Sequence, residues 1–287
     1  MDALVEVDWL RGELEAPDLR VLDCSVANVV HDDSGFGLSG GRGVWAQGHI
    51  PGSGHVDLLA ELSDRAAPTP LMMPPAEQLR AALLRAGVGD GTRVVLYDNN
   101  LNMWAARVWW MLRAVSFDSA AVLNGGWRAW TAADAPVETG DRAATPAGHL
   151  SLVPRPGTFA HRDDVLGALG DGSVCLVDAL QPEVYRGERR DYARAGHIPG
   201  AYNVPFAELV DPDTHRYLPT EQLRARFAAA PVAEADRVLT YCGGGVAASS
   251  AAFVLGLLGV PGVAVYDGSL LEWSTDPGLP MVTGAER

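Results

Sequence analysis

The sequence predicts an α/β protein with two similar domains, each built on a mainly parallel sheet flanked by helices. Short apolar runs such as Val94–Tyr97 and Val238–Tyr241 alternate with segments of helical pattern, for example 79–84 and 223–230. Strands and helices that alternate along a chain are typical of parallel sheets. The second observation behind this prediction is that the whole pattern occurs twice.

Four sequence features recur in the same order, which indicates two copies of one domain. They are Val21–Asp23 with Leu176–Asp178, Gly-His-Ile-Pro-Gly at 48–52 and 196–200, the runs ending at Tyr97 and Tyr241, and 124–127 (Asn-Gly-Gly-Trp) with 266–269 (Tyr-Asp-Gly-Ser). The last three pairs are separated by 148, 144 and 142 residues. Such a slowly drifting offset is expected from small insertions and deletions.

The repeat predicts one domain at 1–135, a linker at 136–157 and a second domain at 158–287. The linker is rich in Ala, Pro, Gly, Thr and Asp and has no sustained periodicity. A length of 287 residues with 48% hydrophobic content supplies enough apolar material for two cores.

Composition excludes several partners and cofactors. The formal charge of -14 argues against general affinity for nucleic acid or for anionic membranes. No nucleotide-binding loop, metal cluster or haem motif occurs, so no cofactor is predicted. The stretch 242–266 has no charged residue, but Gly256, Gly259, Pro261 and Gly262 interrupt it, and we expect a buried helix followed by a buried strand rather than a membrane span.

The cysteines and the N-terminus indicate a reducing compartment, and we expect the protein to be cytoplasmic. Cys24, Cys175 and Cys242 are far apart, unlike a disulfide framework or a zinc site. The acidic start at 1–6 does not resemble a signal peptide. Cys24 and Cys175 lie beside strand-like runs, where packing is the expected role.

Cys242 is the candidate nucleophile. It follows the strand-like run 238–241 and precedes three glycines and a helical segment. Loop amides and the positive end of a helix stabilise an anion, so we expect them to lower the pKa of this thiol and favour the thiolate. The alternative is a small buried residue without chemistry.

The first copy lacks this thiol. Alignment of Tyr97 with Tyr241 places Asp98 opposite Cys242, and Asn99, Asn100 and Leu101 opposite the three glycines. We therefore predict a structural role for the first copy, as one wall of a cleft between the domains, with Asp98 as a carboxylate that caps its own loop.

These motifs together resemble the tandem-domain rhodanese family of sulfurtransferases, and the resemblance covers nearly the whole chain. It implies two rhodanese-like domains. It also implies transfer of a sulfane sulfur from a small donor, thiosulfate or 3-mercaptopyruvate, to cyanide or a thiol through a persulfide on Cys242. A protein thiol is a further candidate acceptor. Phosphatases of related architecture carry Cys-x5-Arg, and Ala248 at the sixth position argues against that chemistry.

The expected persulfide-binding groups are the loop amides of five consecutive residues, Gly243, Gly244, Gly245, Val246 and Ala247. Arg190 matches a substrate-binding arginine of the family. Val184 stands where another such arginine is expected, and Arg186, two residues away, is the candidate that compensates for it.

The loop departs from the family pattern at two positions. Members that prefer 3-mercaptopyruvate often read Cys-Gly-Ser-Gly-Val-Thr-Ala, whereas this chain has Gly244 for the serine and Ala247 for the threonine. Members that prefer thiosulfate often carry basic residues after the cysteine, and none is present here. These departures leave open a second function, a non-catalytic persulfide carrier in a sulfur relay, and a third, a purely structural interaction protein.

Overall fold

Two five-stranded parallel sheets dominate the fold, one in each of two structural units. The computed structural model describes residues 1–32, 35–141 and 144–287. Within these ranges, unit 1 contains 1–65, 73–155 and 211–217, and unit 2 contains 66–72, 156–210 and 218–287. The two short segments each group with the other copy of the repeat, which the sequence pattern does not indicate.

Unit 1 is built from alternating strands and helices, with a hairpin inserted after the second strand. Its elements are β1 (Leu4–Val5), α1 (Val7–Glu13), β2 (Leu19–Asp23), β3 (Val26–Asp32), β4 (Gly35–Gly40), α2 (Arg42–Trp45), β5 (Gly54–His55), α3 (Ala76–Arg85), β6 (Arg93–Tyr97), α4 (Met103–Ala114), β7 (Ala120–Leu123) and α5 (Gly126–Ala132). The sheet order is β1-β7-β6-β2-β5, while β3 and β4 form an antiparallel pair.

Unit 2 repeats this order without the hairpin. Its elements are β8 (Phe159–Ala160), α6 (Arg162–Ala168), β9 (Val174–Asp178), α7 (Pro182–Tyr185), β10 (Tyr202–Asn203), a 3-10 helix (Phe206–Leu209), α8 (Thr220–Arg226), β11 (Arg237–Tyr241), α9 (Val246–Leu257), β12 (Val263–Tyr266) and α10 (Ser269–Trp273). The sheet order β8-β12-β11-β9-β10 matches that of unit 1 strand for strand. The predicted α/β class, its parallel sheets and its internal duplication are therefore confirmed.

The repeated Gly-His-Ile-Pro-Gly motif serves the core of each unit. His49 and His197 are fully buried, and each ring stacks on the aromatic ring of Trp45 or Tyr185, respectively. The next residue then donates its backbone N–H to a tyrosine hydroxyl, from Ile50 to Tyr97 over 3.4 Å and from Ile198 to Tyr241 over 3.1 Å. Because these tyrosines end β6 and β11, the motif fixes the strand ends from which the two loops start.

One predicted helix is shorter than its sequence pattern. The pattern extends over 223–230, whereas α8 ends at Arg226 and turns follow it. Pro231 disfavours helical backbone at the residue before it, so the helix cannot run through Ala230.

The uncharged stretch 242–266 forms α9 followed by β12, as predicted. Ten of the twelve residues of α9 are buried. Among the described residues, none of the helices has both the length and the apolar character that crossing a bilayer requires.

Candidate active site

Cys242 lies at the carboxyl end of β11, the central strand of the second sheet, in the loop that leads into α9. Gly245 is the residue before the helix and has a φ of +76°, a left-handed conformation that a residue with a Cβ adopts only at a cost. This glycine lets the chain turn from the end of β11 into α9 shortly after Cys242.

The amides of the loop face the thiol. Burial raises the pKa of Cys242 above its usual value, and the backbone N–H groups of Ala248, Gly244 and Ala247 act in the opposite direction. The expectation of a net lowering is wrong, because Cys242 is only 2% exposed and desolvation of the charged form outweighs the amides. The amides are nevertheless placed to stabilise an anion that forms on this sulfur.

The Ser269 side chain holds the loop in place through hydrogen bonds to its backbone. Its hydroxyl oxygen accepts the N–H groups of Cys242 and Gly245, both over 3.1 Å, and its O–H donates to the Tyr266 carbonyl over 2.7 Å. The first turn of α10 completes the support, since Leu270 and Leu271 donate their N–H groups to the carbonyls of Cys242 and Gly243 over 3.0 and 2.8 Å.

The position of Ser269 corrects the sequence alignment of the two copies. The offset of 142 placed Gly126 opposite Gly268. In the structure, Trp127 donates its N–H to the Asp98 carbonyl as Leu270 does to that of Cys242, and Gly126 and Ser269 share a φ near +50°. The offset is therefore 143, and the hydroxyl at Ser269 occupies the position of a glycine in unit 1.

Asp178 supplies a buried carboxyl group on the neighbouring strand β9. It is fully buried, and one of its oxygens accepts the Leu180 N–H over 2.8 Å. Burial raises the pKa of Asp178 to about 7. When this carboxyl is ionised, its charge disfavours the thiolate and raises the pKa of Cys242 further.

The predicted arginines have different environments. Arg186 forms a two-pronged ion pair with Glu188, over 2.7 and 2.9 Å. Arg190 is exposed and donates to two backbone carbonyls, those of Tyr192 and Ala193, over 3.2 and 2.6 Å. In the described ranges Arg190 has no carboxylate partner. Val184, at the position where an arginine is expected, is buried in the core.

Three further side chains border the glycine loop and were not identified from the sequence. A Cβ on Gly243 would overlap the hydroxyl oxygen of Tyr192 and lie 2.7 Å from the ring carbon that bears it. A Cβ on Gly244 would lie 3.0 Å from Leu271 and 3.5 Å from Leu71. Ser269 could have been identified, because it lies inside a repeated motif, whereas Tyr192 and Leu71 approach the loop only through the tertiary fold.

The equivalent loop of unit 1 contains a carboxyl group in place of the thiol. The Asp98 carboxylate accepts the N–H groups of Asn100, Asn102 and Ala105 over 2.7, 3.1 and 2.8 Å. This is the capping role predicted for Asp98. Cys24, directly after β2, and Cys175, within β9, are both buried, in agreement with the predicted packing role.

Comparisons with known proteins agree with this architecture. The model of the rhodanese-like domain matches residues 6–133 and 161–276, so the chain belongs to the rhodanese-like family. It is 31% identical over 280 residues to the 3-mercaptopyruvate sulfurtransferase of Escherichia coli (strain K12), covering 96% of both chains. It is 33% identical over 298 residues to the sulfur carrier protein TtuD of Thermus thermophilus, covering 99% of this chain and 98% of TtuD.

A solved structure has the same fold. The crystal structure of SseA from Escherichia coli, described as a 3-mercaptopyruvate sulfotransferase with the rhodanese fold, superposes with a TM-score of 0.82 at 30% identity. The match covers 94% of this chain and 99% of SseA. The prediction of two tandem rhodanese-like domains is thereby confirmed.

Proposed function

We propose that this chain transfers a sulfane sulfur from a small donor to a thiophilic acceptor, with Cys242 holding the sulfur between the two steps as a persulfide. The chain is a sulfurtransferase, given its similarity over nearly its full length to the Escherichia coli enzyme. The observation that carries the persulfide proposal is the orientation of the Gly244, Ala247 and Ala248 amides toward the Cys242 sulfur.

In the first step the Cys242 thiolate attacks the outer sulfur of the donor. With thiosulfate, the bond between the two donor sulfurs breaks, sulfite leaves with the electron pair, and the terminal sulfur stays on Cys242 as an anion. With 3-mercaptopyruvate, the carbon–sulfur bond breaks and the thiol proton ends on the methyl group of pyruvate. Charge balances in both cases, and the new anion lies among the loop amides.

In the second step an acceptor removes the terminal sulfur. Cyanide attacks it, the sulfur–sulfur bond breaks, and thiocyanate and the Cys242 thiolate are formed. A thiol acceptor takes the sulfur in the same way and becomes a persulfide itself. Since one site serves both half-reactions, we expect ping-pong kinetics.

Arg190 is the better candidate of the two arginines for binding the anionic end of the donor. Its guanidinium is exposed and donates only to carbonyls, whereas that of Arg186 is neutralised by Glu188. A guanidinium without a carboxylate partner keeps its charge available for a carboxylate or sulfonate.

The loop favours 3-mercaptopyruvate over thiosulfate. Glycines occupy the two positions after Cys242, and α9 carries no charged residue, so no basic side chain of the loop meets a dianion. 3-Mercaptopyruvate carries one carboxylate, which Arg190 alone can pair with.

A persulfide carrier is the second candidate function. It is favoured by the 2% exposure of Cys242, which restricts the approach of an acceptor from solvent, and by the absence at Gly244 of the serine hydroxyl that the resemblance leads us to expect. TtuD is named a sulfur carrier protein. Steady-state turnover with cyanide of about 1 to 1000 per second supports the enzyme, whereas rapid loading followed by slow release supports the carrier.

Mass spectrometry of the intact protein tests the shared intermediate. After treatment with either donor, we expect an adduct of about 32 Da on Cys242, corresponding to one sulfur atom, which cyanide removes. Cys242→Ser is the control that must lack the adduct, and Cys175→Ser is the control that must retain it. Turnover without an adduct, unchanged in Cys242→Ser, contradicts the proposal.

A further inference from the structure

The Tyr192 side chain occupies the space beside Gly243 that a side chain would otherwise fill. A Cβ on Gly243 would overlap the phenol oxygen and would lie 2.7 and 2.9 Å from two ring carbons. Gly243 does not have a positive φ, so its backbone conformation does not demand glycine. The glycine is required by Tyr192, and the two residues form a complementary pair next to Cys242.

The Tyr192 hydroxyl is a neutral donor for which the described residues offer no acceptor. Burial raises the pKa of the Tyr192 phenol well above its usual value, and the charge of Cys242 raises it further whenever that thiol is ionised. The O–H is therefore retained at every physiological pH. Across the described residues, no backbone or side-chain group accepts a hydrogen bond from it.

The other hydroxyl groups that contact this loop already have acceptors. Ser269 donates to the Tyr266 carbonyl, Ser249 to the Gly245 carbonyl over 2.7 Å and Thr240 to the Ala248 carbonyl over 3.0 Å. These three hydroxyls hold the loop and the start of α9 in place. The Tyr192 hydroxyl differs from them in leaving its hydrogen available.

The side chains nearest to Gly244 are apolar. At Gly244 the space for a side chain is bounded by the terminal carbons of Leu271 and Leu71, at 3.0 and 3.5 Å from an ideal Cβ. Neither leucine can donate a hydrogen bond. Of the described side chains nearest to the Cβ positions of Gly243 and Gly244, that of Tyr192 is therefore the one that can donate a hydrogen bond.

We propose that the Tyr192 hydroxyl donates a hydrogen bond to the sulfur that Cys242 receives, and so takes the place of a hydroxyl on the loop itself. This inference rests on the proposed persulfide intermediate and adds a catalytic residue to it. A hydrogen bond to an anion is about twice as strong as one between neutral groups, so its effect is greatest once the anionic persulfide has formed.

The contact between Tyr192 and Gly243 also restricts which residue types can occupy position 243. Since Tyr192 fills the space beside Gly243, a longer residue at 243 displaces its hydroxyl from the sulfur. A basic residue at this position and the Tyr192 hydroxyl are therefore alternative ways to stabilise the transferred sulfur, one by charge and one by a hydrogen bond.

Tyr192→Phe tests this inference, because phenylalanine keeps the ring packed on Gly243 and removes only the hydroxyl. We expect the single-turnover rate of persulfide formation from 3-mercaptopyruvate to fall about 10- to 100-fold. We also expect the pH midpoint for cyanolysis of the loaded protein to shift upward, because the persulfide anion loses a donor. The thermal midpoint of unfolding should stay the same.

Two comparisons separate a chemical role from a structural one. Tyr202→Phe, on the edge strand β10, should change neither the loading rate nor the pH midpoint. Gly244→Ser added to Tyr192→Phe should restore loading in part, because Gly244 has an ordinary φ and only the flexible end of Leu271 must move. Gly243→Ala should slow persulfide loading as Tyr192→Phe does. The variant that carries both changes should load no more slowly than either single variant.

The outcomes distinguish this inference from the proposed function. If the wild-type protein forms no adduct of about 32 Da, the persulfide itself is contradicted. If the wild type forms the adduct, and Tyr192→Phe loads at the same rate with the same pH midpoint, the role of Tyr192 is overturned while the persulfide stands.

Discussion

Asp98 and Cys242 occupy equivalent positions in the two units, and each side chain faces the backbone amides of the loop that follows it. The Asp98 carboxylate accepts N–H groups from Asn100, Asn102 and Ala105, and the Cys242 sulfur faces those of Gly244, Ala247 and Ala248. In unit 1 a side-chain carboxyl group of the protein itself occupies these amides, and burial raises its pKa to about 7. In unit 2 the corresponding amides are available to an anion that forms on Cys242 and is later removed.

Asp98→Asn should destabilise unit 1. Two carboxylate oxygens accept three amides, and asparagine has one oxygen and an NH2 group that cannot accept. We expect a loss of about 1–3 kcal/mol in the free energy of unfolding. Urea unfolding followed by tryptophan fluorescence measures it well, since seven of the eight tryptophans lie before residue 135. An unchanged midpoint contradicts the capping role.

The same variant should reveal the titration of Asp98. Burial raises the pKa of Asp98 to about 7, above its unfolded value of about 3.9. A carboxyl group with a raised folded pKa stabilises the protein fully at low pH, and this contribution is lost as the pH rises from about 4 to about 7. The stability difference between wild type and Asp98→Asn should therefore shrink between pH 5 and pH 8, which are conditions chosen to span most of this window. A stability difference that stays constant over this pH range would show that Asp98 has the same pKa in the folded and the unfolded protein.

Ser269→Ala should loosen the active loop. Removal of the hydroxyl leaves the buried N–H groups of Cys242 and Gly245 without their acceptor. We expect unfolding to become easier by about 1–3 kcal/mol and persulfide loading to slow at least about 10-fold. Ser274→Ala is the matched control, because Ser274 lies next to α10 and donates one bond to Leu270 without contacting the loop. Equal loading rates in the two variants would contradict this role of Ser269.

Local sequence was sufficient to predict those features whose interacting residues lie close together in the chain. The strand before Cys242, the helix after it and the carboxylate at Asp98 were all predicted, because apolar runs and glycines identify them directly. The repeat identified both sheets, because two copies of a weak pattern reinforce each other.

Tertiary contacts and burial were not predictable in the same way. Tyr192 approaches Gly243 from 51 residues earlier in the chain, and no periodicity indicates that contact. The predicted direction of the pKa shift of Cys242 was wrong, because the sequence reveals the amides of the loop but not how deeply the sulfur is buried. The offset of 142 failed by one residue, although Trp130 and Trp273 are 143 residues apart in the sequence and so agree with the offset that the hydrogen bonds show.

Arg190→Gln and Arg186→Gln should differ in their effect on donor binding. Arg190 has no carboxylate partner in the described part of the chain, so we expect its loss to raise KM for 3-mercaptopyruvate about 10-fold or more. Arg186 is paired with Glu188, so its loss should change KM less than about 2-fold. Steady-state kinetics with a fixed cyanide concentration measure both. The reverse order would assign the donor's anionic group to Arg186.

Persulfide loading should accelerate with rising pH above neutrality. Burial raises the pKa of Cys242, and the charge of Asp178 acts in the same direction, so the thiol form predominates at pH 7. Since the thiolate is the nucleophile, the loading rate should rise with pH until the thiol is fully ionised. Asp178→Asn removes the neighbouring charge, and the midpoint of its profile should move to lower pH. The decisive measurement is the single-turnover loading rate from pH 6 to pH 10, a range chosen to bracket the usual thiol pKa of about 8.5. A rate that is flat over this range means that Cys242 is already ionised at neutral pH, and that the loop amides outweigh burial after all.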